Sequence, residues 1–253
     1  IRSVPTDPAR ALMPGNDDYA ALVGRVIRRN GREDAVVGTC LALLGDPSAV
    51  SDAGIESALR KVHGAWAGTP GPEIRAAQIL SLACADRRHG PSVLAALHRY
   101  RATPTTIPRV FDKGIPVVNE LPVKHWVCFF LARTLGNLGD PAAVDGLLAA
   151  LREAPPEYAA GSPDPLGPGV LFLHNDLTPC WRAELAWALG RIGDRRAVPD
   201  LLALVADRAN VTDTRHAAAV ALGRLADDAT RAEMTLLAEH EAEVSTRTAL
   251  LAP

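Results

Sequence analysis

"WRAELAWALGRIGDRRAVPDLLALV", residues 181–205, carries two apolar stripes divided by a turn. Trp181, Leu185, Ala188, Leu189 and Ile192 fall at i, i+4, i+7, i+8 and i+11, the spacing that gathers side chains on one face of an α-helix. Gly193 suits the left-handed position that ends a helix. Asp194 stands where its carboxylate caps the next helix. Val198, Leu201, Leu202 and Val205 then give that second helix its own stripe. One such pair cannot bury both stripes, whereas a stack of pairs can.

The same grammar recurs along the chain. "CLALLGDPSAV" begins at Cys40, "TLGNLGDPAAV" at Thr134 and "ALGRLADDAT" at Ala221, with "RAAQILSLACADRRHGPSVLAAL" from Arg75 as a looser copy. Asp46 and Asp140 take the place of Asp194 as caps, and Pro47 and Pro141 follow them at the first helical position, where a missing N–H costs nothing. Helix pairs are therefore predicted near 34–63, 73–101, 122–152, 179–206 and 213–240. A leading helix is expected around 18–29 and a trailing one from about Glu243. Two connections, 102–121 and 153–178, are far longer than a helical array needs, and long loops of this kind are usually functional or disordered. They flank one helix pair, which would set them side by side on one rim.

Composition agrees with helices. Apolar residues make up 48% but aromatics only 4%, so the core must be built from Ala, Leu and Val, and the first two are strong helix formers. The net charge of −2 argues against general affinity for nucleic acid, which needs a positive surplus facing phosphates. Lysine stands only at positions 61, 113 and 124, while the other basic residues are Arg, a mark of a high-GC genome. Cys40, Cys84, Cys128 and Cys180 show no Cys-x-x-Cys spacing, and the first three lie in helical patterns where cysteine acts as a small core residue. No apolar run reaches the length of a membrane span. A cytoplasmic location is expected, but the chain opens at Ile1 rather than Met, so secretion is left open.

Residues 181–205, with "FFLARTLGNLGDPAAVDGLLAALRE" (129–153) and "TRHAAAVALGRLADDATRAEMTLLAEH" (214–240), resemble HEAT repeats of the short bacterial type found in phycobilisome-lyase-like proteins. The resemblance implies an all-α fold: a right-handed α-solenoid of about five helix pairs, with residues 1–253 as a single domain. For function it implies a non-catalytic protein–protein interaction scaffold, or an accessory binding domain, using the concave face and the long insertions. Two other readings stay open: a C-terminal accessory domain of a larger enzyme whose catalytic domain lies upstream, and a bilin or small-molecule lyase. Repeats of this type serve many functions, so fold alone does not choose among them.

Metal catalysis on this repeat type is exemplified by the deoxyhypusine hydroxylases, HEAT-like proteins that hold two irons through His-Glu pairs at helix starts. Here Arg215-His216-Ala217 lacks the Glu, Arg182-Ala183-Glu184 lacks the His, and His240-Glu241 sits at the far end of a helix. No metal and no cofactor is expected. The basic stretches at 25–32 and 86–90, with His98, Arg99 and Arg101, read as solvated faces or inter-repeat salt bridges. Arg75, Arg182 and Arg215, at helix starts, are expected to pair with turn aspartates of adjacent repeats. Trp126, Trp181 and Trp187 are expected to fill core volume between repeats, with an aromatic binding wall as the other reading.

"GVLFLHNDLTPCW", residues 169–181, is the candidate docking element. Its run from Val170 to Leu173 either folds back onto the solenoid or stays exposed; if exposed, Leu171, Phe172, His174, Asn175, Asp176 and Trp181 would face a protein partner, or an upstream domain of the same polypeptide. No catalytic residue is expected. His174 and Asp176, two apart in a loop, point different ways unless the backbone turns sharply, and Asp176 or Thr178 equally suits the N-cap of a helix near Pro179.

Overall fold

The computed structural model describes residues 33–57, 72–102, 110–112, 115–117, 123–153 and 181–252. The leading helix expected at 18–29, the basic stretch 25–32, Cys180, and Leu171, Phe172, His174, Asn175 and Asp176 lie outside these residues. The described helices are α1 (Glu33–Leu43), α2 (Pro72–Ala83), α3 (Gly90–Ala102), α4 (Val123–Leu138) and α5 (Val144–Glu153), followed by α6 (Trp181–Ile192), α7 (Val198–Ala206), α8 (Thr212–Leu225), α9 (Asp228–His240) and α10 (Val244–Leu251). A further helix opens at 53–57. Among the described residues the one departure from helices and their turns falls in the first long connection, where strands β1 (Val110–Asp112) and β2 (Ile115–Val117) pair antiparallel with Val110 opposite Val117.

The Gly-Asp turns follow from local chemistry. Gly45, Gly139 and Gly193 adopt φ of +79°, +61° and +82°, the left-handed region that a side chain disfavours. The following aspartate accepts the N–H two residues on: Ser48 to Asp46 at 2.9 Å, Ala142 to Asp140 at 3.0 Å, Arg196 to Asp194 at 2.9 Å. Asp86 does the same for Arg88 without a preceding glycine. These bonds hold Asp46, Asp86 and Asp194 below the usual carboxylate range, chiefly through the side chains of Ser48, Arg88 and Arg196 respectively. At the last three turns the aspartate caps a 3-10 turn (Arg87–His89, Pro141–Ala143, Arg195–Ala197) that runs on into the helix. The first turn differs from expectation. No helix starts at Pro47, so Asp46 caps only the turn, and Asp52 caps the helix at 53 by accepting from Gly54 and Ile55 at 2.8 and 3.1 Å.

Packing is sequential. The first helices of the pairs stack in the order α1, α2, α4, α6, α8, α10, and the second helices α3, α5 and α7 lie against the first helix of the pair that follows. Leu185, Ala188 and Leu189 are fully buried, and one core of mostly Ala, Leu and Val runs the length of the stack. The aromatic exception is α4, where Trp126 stacks on Phe130 at 5.8 Å and Phe129 meets both edge-on. Small residues let the first helices touch. A Cβ on Gly136 would lie 2.8 Å from Ala188 Cα, and one on Gly190 only 2.6 Å from Ala221 Cβ. Cys40, Cys84 and Cys128 are buried free thiols, and burial pushes Cys40 and Cys128 up to about 12. No described helix is long and apolar enough to cross a membrane.

Candidate functional site

Of the two readings expected for the basic residues, solvated faces or inter-repeat bridges, Arg87, Arg99 and Arg101 take the second. Arg87 Nε donates to Leu138 O at 2.9 Å, Arg99 donates to Leu44 O, and Arg101 pairs with Glu153 at 3.2 Å. Arg152 grips Asp200 with both arms at 2.7 and 2.8 Å, and Arg195 pairs with Asp227. The basic stretch 86–90 is thereby largely committed, with Arg88 also on Asp86 and His89 on Asp34.

Two of the helix-start arginines, Arg182 and Arg215, also reach the turn that leads to the next repeat, where they meet an amide and a glutamate. Arg182 donates to Asn210 Oδ1 at 2.8 Å, and Arg215 donates to Glu241 Oε2. Arg75 reaches Gln78 on its own helix at 3.3 Å. Asn210 and Glu241 lie just before α8 and α10, in the turns that carry the chain to the next pair, which is why they come within reach of the start of the preceding first helix. Glu241, with its side chain 1% exposed, also takes Arg208 at 2.8 Å. Burial alone would raise its carboxyl, but the N–H of Glu243 and the two guanidiniums hold it below the usual range. Both oxygens of the His240-Glu241 motif are thus occupied. Among the described residues no group of three or more His, Cys, Asp or Glu side chains converges as a metal site would require.

Trp181, expected on a docking surface, is 1% exposed and belongs to the core. As the first residue of α6 it turns inward, where His125 meets its ring edge-on at 6.5 Å. Trp126 is likewise buried, while Trp187 is half-buried and packs against the core. Burial, reinforced by the Lys124 ammonium, lowers His125 to about 4. The folded chain therefore keeps this imidazole neutral while the unfolded chain takes up a proton near pH ~6.5. Its contribution is full above that value and is lost as pH falls toward 4, by about 3 kcal/mol in total. Urea unfolding at about pH 7 and about pH 4.5 should show this loss, and His125→Phe should remove most of the slope. An unchanged slope would disprove the assignment.

One face of the first helices stands apart. Glu184 on α6 is buried, and Arg133 of α4 meets it with Nε and Nη2 at 3.1 and 3.0 Å. Arg191, a half-exposed neighbour two turns on, reaches the same carboxylate at 3.2 Å and Asn137 Oδ1 at 3.5 Å. Asn137 in turn donates to Ser81 O on α2 at 3.1 Å. Arg133 lies over the Phe129 ring at 4.7 Å, and Arg224 of α8 lies over Trp187 at 5.7 Å. The signal for this row was present in the repeats: Asn137, Arg191 and Arg224 each stand three residues before the turn aspartate, in "LGNLGD", "LGRIGD" and "LGRLAD". Sequence reasoning passed over it. The arrangement offers planar cationic donors, held by a carboxylate and by aromatic rings, for a carboxylate or phosphate oxygen.

A family model described as HEAT repeats matches residues 170–252, and one described as PBS lyase HEAT-like repeat matches 127–153. No curated protein matches the chain.

Proposed function

From a chain that carries HEAT repeats, among them one of the PBS lyase HEAT-like type, we propose a non-catalytic scaffold for protein–protein interaction. In this reading residues 1–253 form one right-handed solenoid of about five pairs. The first helices, which touch most closely, line its concave face. The two long insertions, 102–121 and 153–178, each join a second helix to the next first helix and so leave from one rim. Stacked repeats suit such a role because they offer an extended rigid surface with little ordering cost on binding. The supporting observation is the row of exposed side chains on the first helices, on a framework where arginines such as Arg101, Arg152 and Arg215 are committed between repeats.

The test is a cross-linked pull-down from lysate of the source organism, comparing the chain with one whose residues 155–176 are replaced by a Gly-Ser linker. A specific partner captured by the first and lost from the second, at equal helicity, makes the insertion with Leu171, Phe172, His174, Asn175 and Asp176 the docking element. Capture by both places docking on the helical face. Failure of both to capture any protein would overturn the scaffold reading.

A further inference from the structure

The last exposed positions of consecutive first helices form a graded row. Leu82 on α2 is 51% exposed, Asn137 on α4 is exposed, and Arg191 and Arg224 follow on α6 and α8. Hydrogen bonds join the first rungs, from the backbone beside Leu82 through Asn137 to Arg191. The row therefore runs from an apolar rung through an amide to two cations.

Its charge is unbalanced. Arg191 shares the Glu184 carboxylate with Arg133, and Arg224 meets only the Trp187 face among the described residues. The Arg191 side chain is 30% exposed and Arg224 is exposed, so both keep donors facing water. The indole holds the Arg224 guanidinium without consuming its N–H groups.

The spacing then selects the shape of an occupant. Helices in contact stand about 8–10 Å apart, and α6 and α8 touch through Gly190 and Ala221. Side chains on one face of a β-strand recur every two residues, about 6.7 Å, which is too short. A polyproline II segment brings every third side chain to one face and advances about 9.3 Å in doing so, which fits.

We propose that this row binds an acidic peptide segment in the polyproline II conformation, with carboxylates three residues apart on Arg191 and Arg224 and an apolar side chain against Leu82. The proposal rests on the scaffold reading and names the partner's chemistry. A peptide fits better than a nucleic acid. The row itself presents two cations, Arg191 and Arg224, on a chain of net charge −2, so few counterions would be released from a polyanion lying along it. The apolar rung also has no use for a phosphate.

The test uses the full chain and fluorescence anisotropy with a labelled proline-rich peptide, made in both sequence orders. It carries two glutamates three residues apart and a leucine six residues from the nearer one. Binding is expected, weakened roughly tenfold or more when both glutamates become glutamine. Moving them to two residues apart should also weaken it. Arg224→Gln should reduce affinity about tenfold with an unchanged melting curve, because among the described residues that side chain meets only the Trp187 ring. Equal binding of the Glu and Gln peptides, absence of binding, or indifference to Arg224→Gln would each overturn the proposal. So would a single-stranded oligonucleotide that competes better than the peptide. If the pull-down partner is still captured by the Arg224→Gln chain, the scaffold stands and the acidic-peptide row falls.

Discussion

Gly190→Leu lowers the unfolding free energy by about 3 kcal/mol, the largest loss expected from any single glycine on the first helices. A Cβ at this position meets Ala221 Cβ at 2.6 Å and Cα at 2.7 Å, and the second of these belongs to the neighbouring backbone. No rotamer change relieves it, so α6 and α8 must move apart and loosen the interface they share. Gly190→Ala makes the same clash, partly offset by about 1 kcal/mol of helix propensity. Gly223, also helical, has no neighbour within 4 Å of its Cβ position, so Gly223→Ala should instead stabilise by about 1 kcal/mol. Urea midpoints of the three variants decide the matter. If Gly190→Leu unfolds at the same midpoint as the parent chain, the close approach of the two helices is wrong.

Glu184→Ala should cost about 3–5 kcal/mol, because it removes the carboxylate that takes both Nε and Nη2 of Arg133 at a site where that side chain is only 16% exposed. Arg191, at 30%, can turn toward water. Replacing Glu184 by Leu and Arg133 by Met together should restore most of the loss, since an apolar pair of similar volume needs no desolvated charge. A double-mutant cycle on these positions reads the coupling directly. Additive losses would show that the two side chains do not interact.

What was legible in the sequence depended on distance along the chain. The turn at Gly193-Asp194 could be read because its hydrogen bonds span two to four residues. The alternation of buried positions in α6 was equally local. Glu184 was not legible as a buried charge. An acidic residue in the first turn of a helix ordinarily faces solvent and favours the helix dipole, and its burial depends on Arg133, fifty-one residues earlier. The helix-start arginines were recognised as bridging groups, but their partners depended on which turn residues stacking would bring near, and these are Asn210 and Glu241. Trp181 misled for a related reason. It closes an insertion that reads as a docking loop, yet it is also the first rung of the α6 stripe, and the stripe prevails.

The contrast between the two layers has a mechanical consequence. First helices touch along their lengths through glycine and alanine, whereas second helices meet their counterparts at few points. A beam built this way bends about its stiffer side. When the stack flexes, the second helices fan apart or close up while the first helices act as the neutral axis, keeping their separation nearly constant. Side chains carried on that axis hold a fixed pitch through the motion, like marks on the unstretched edge of a bent rule.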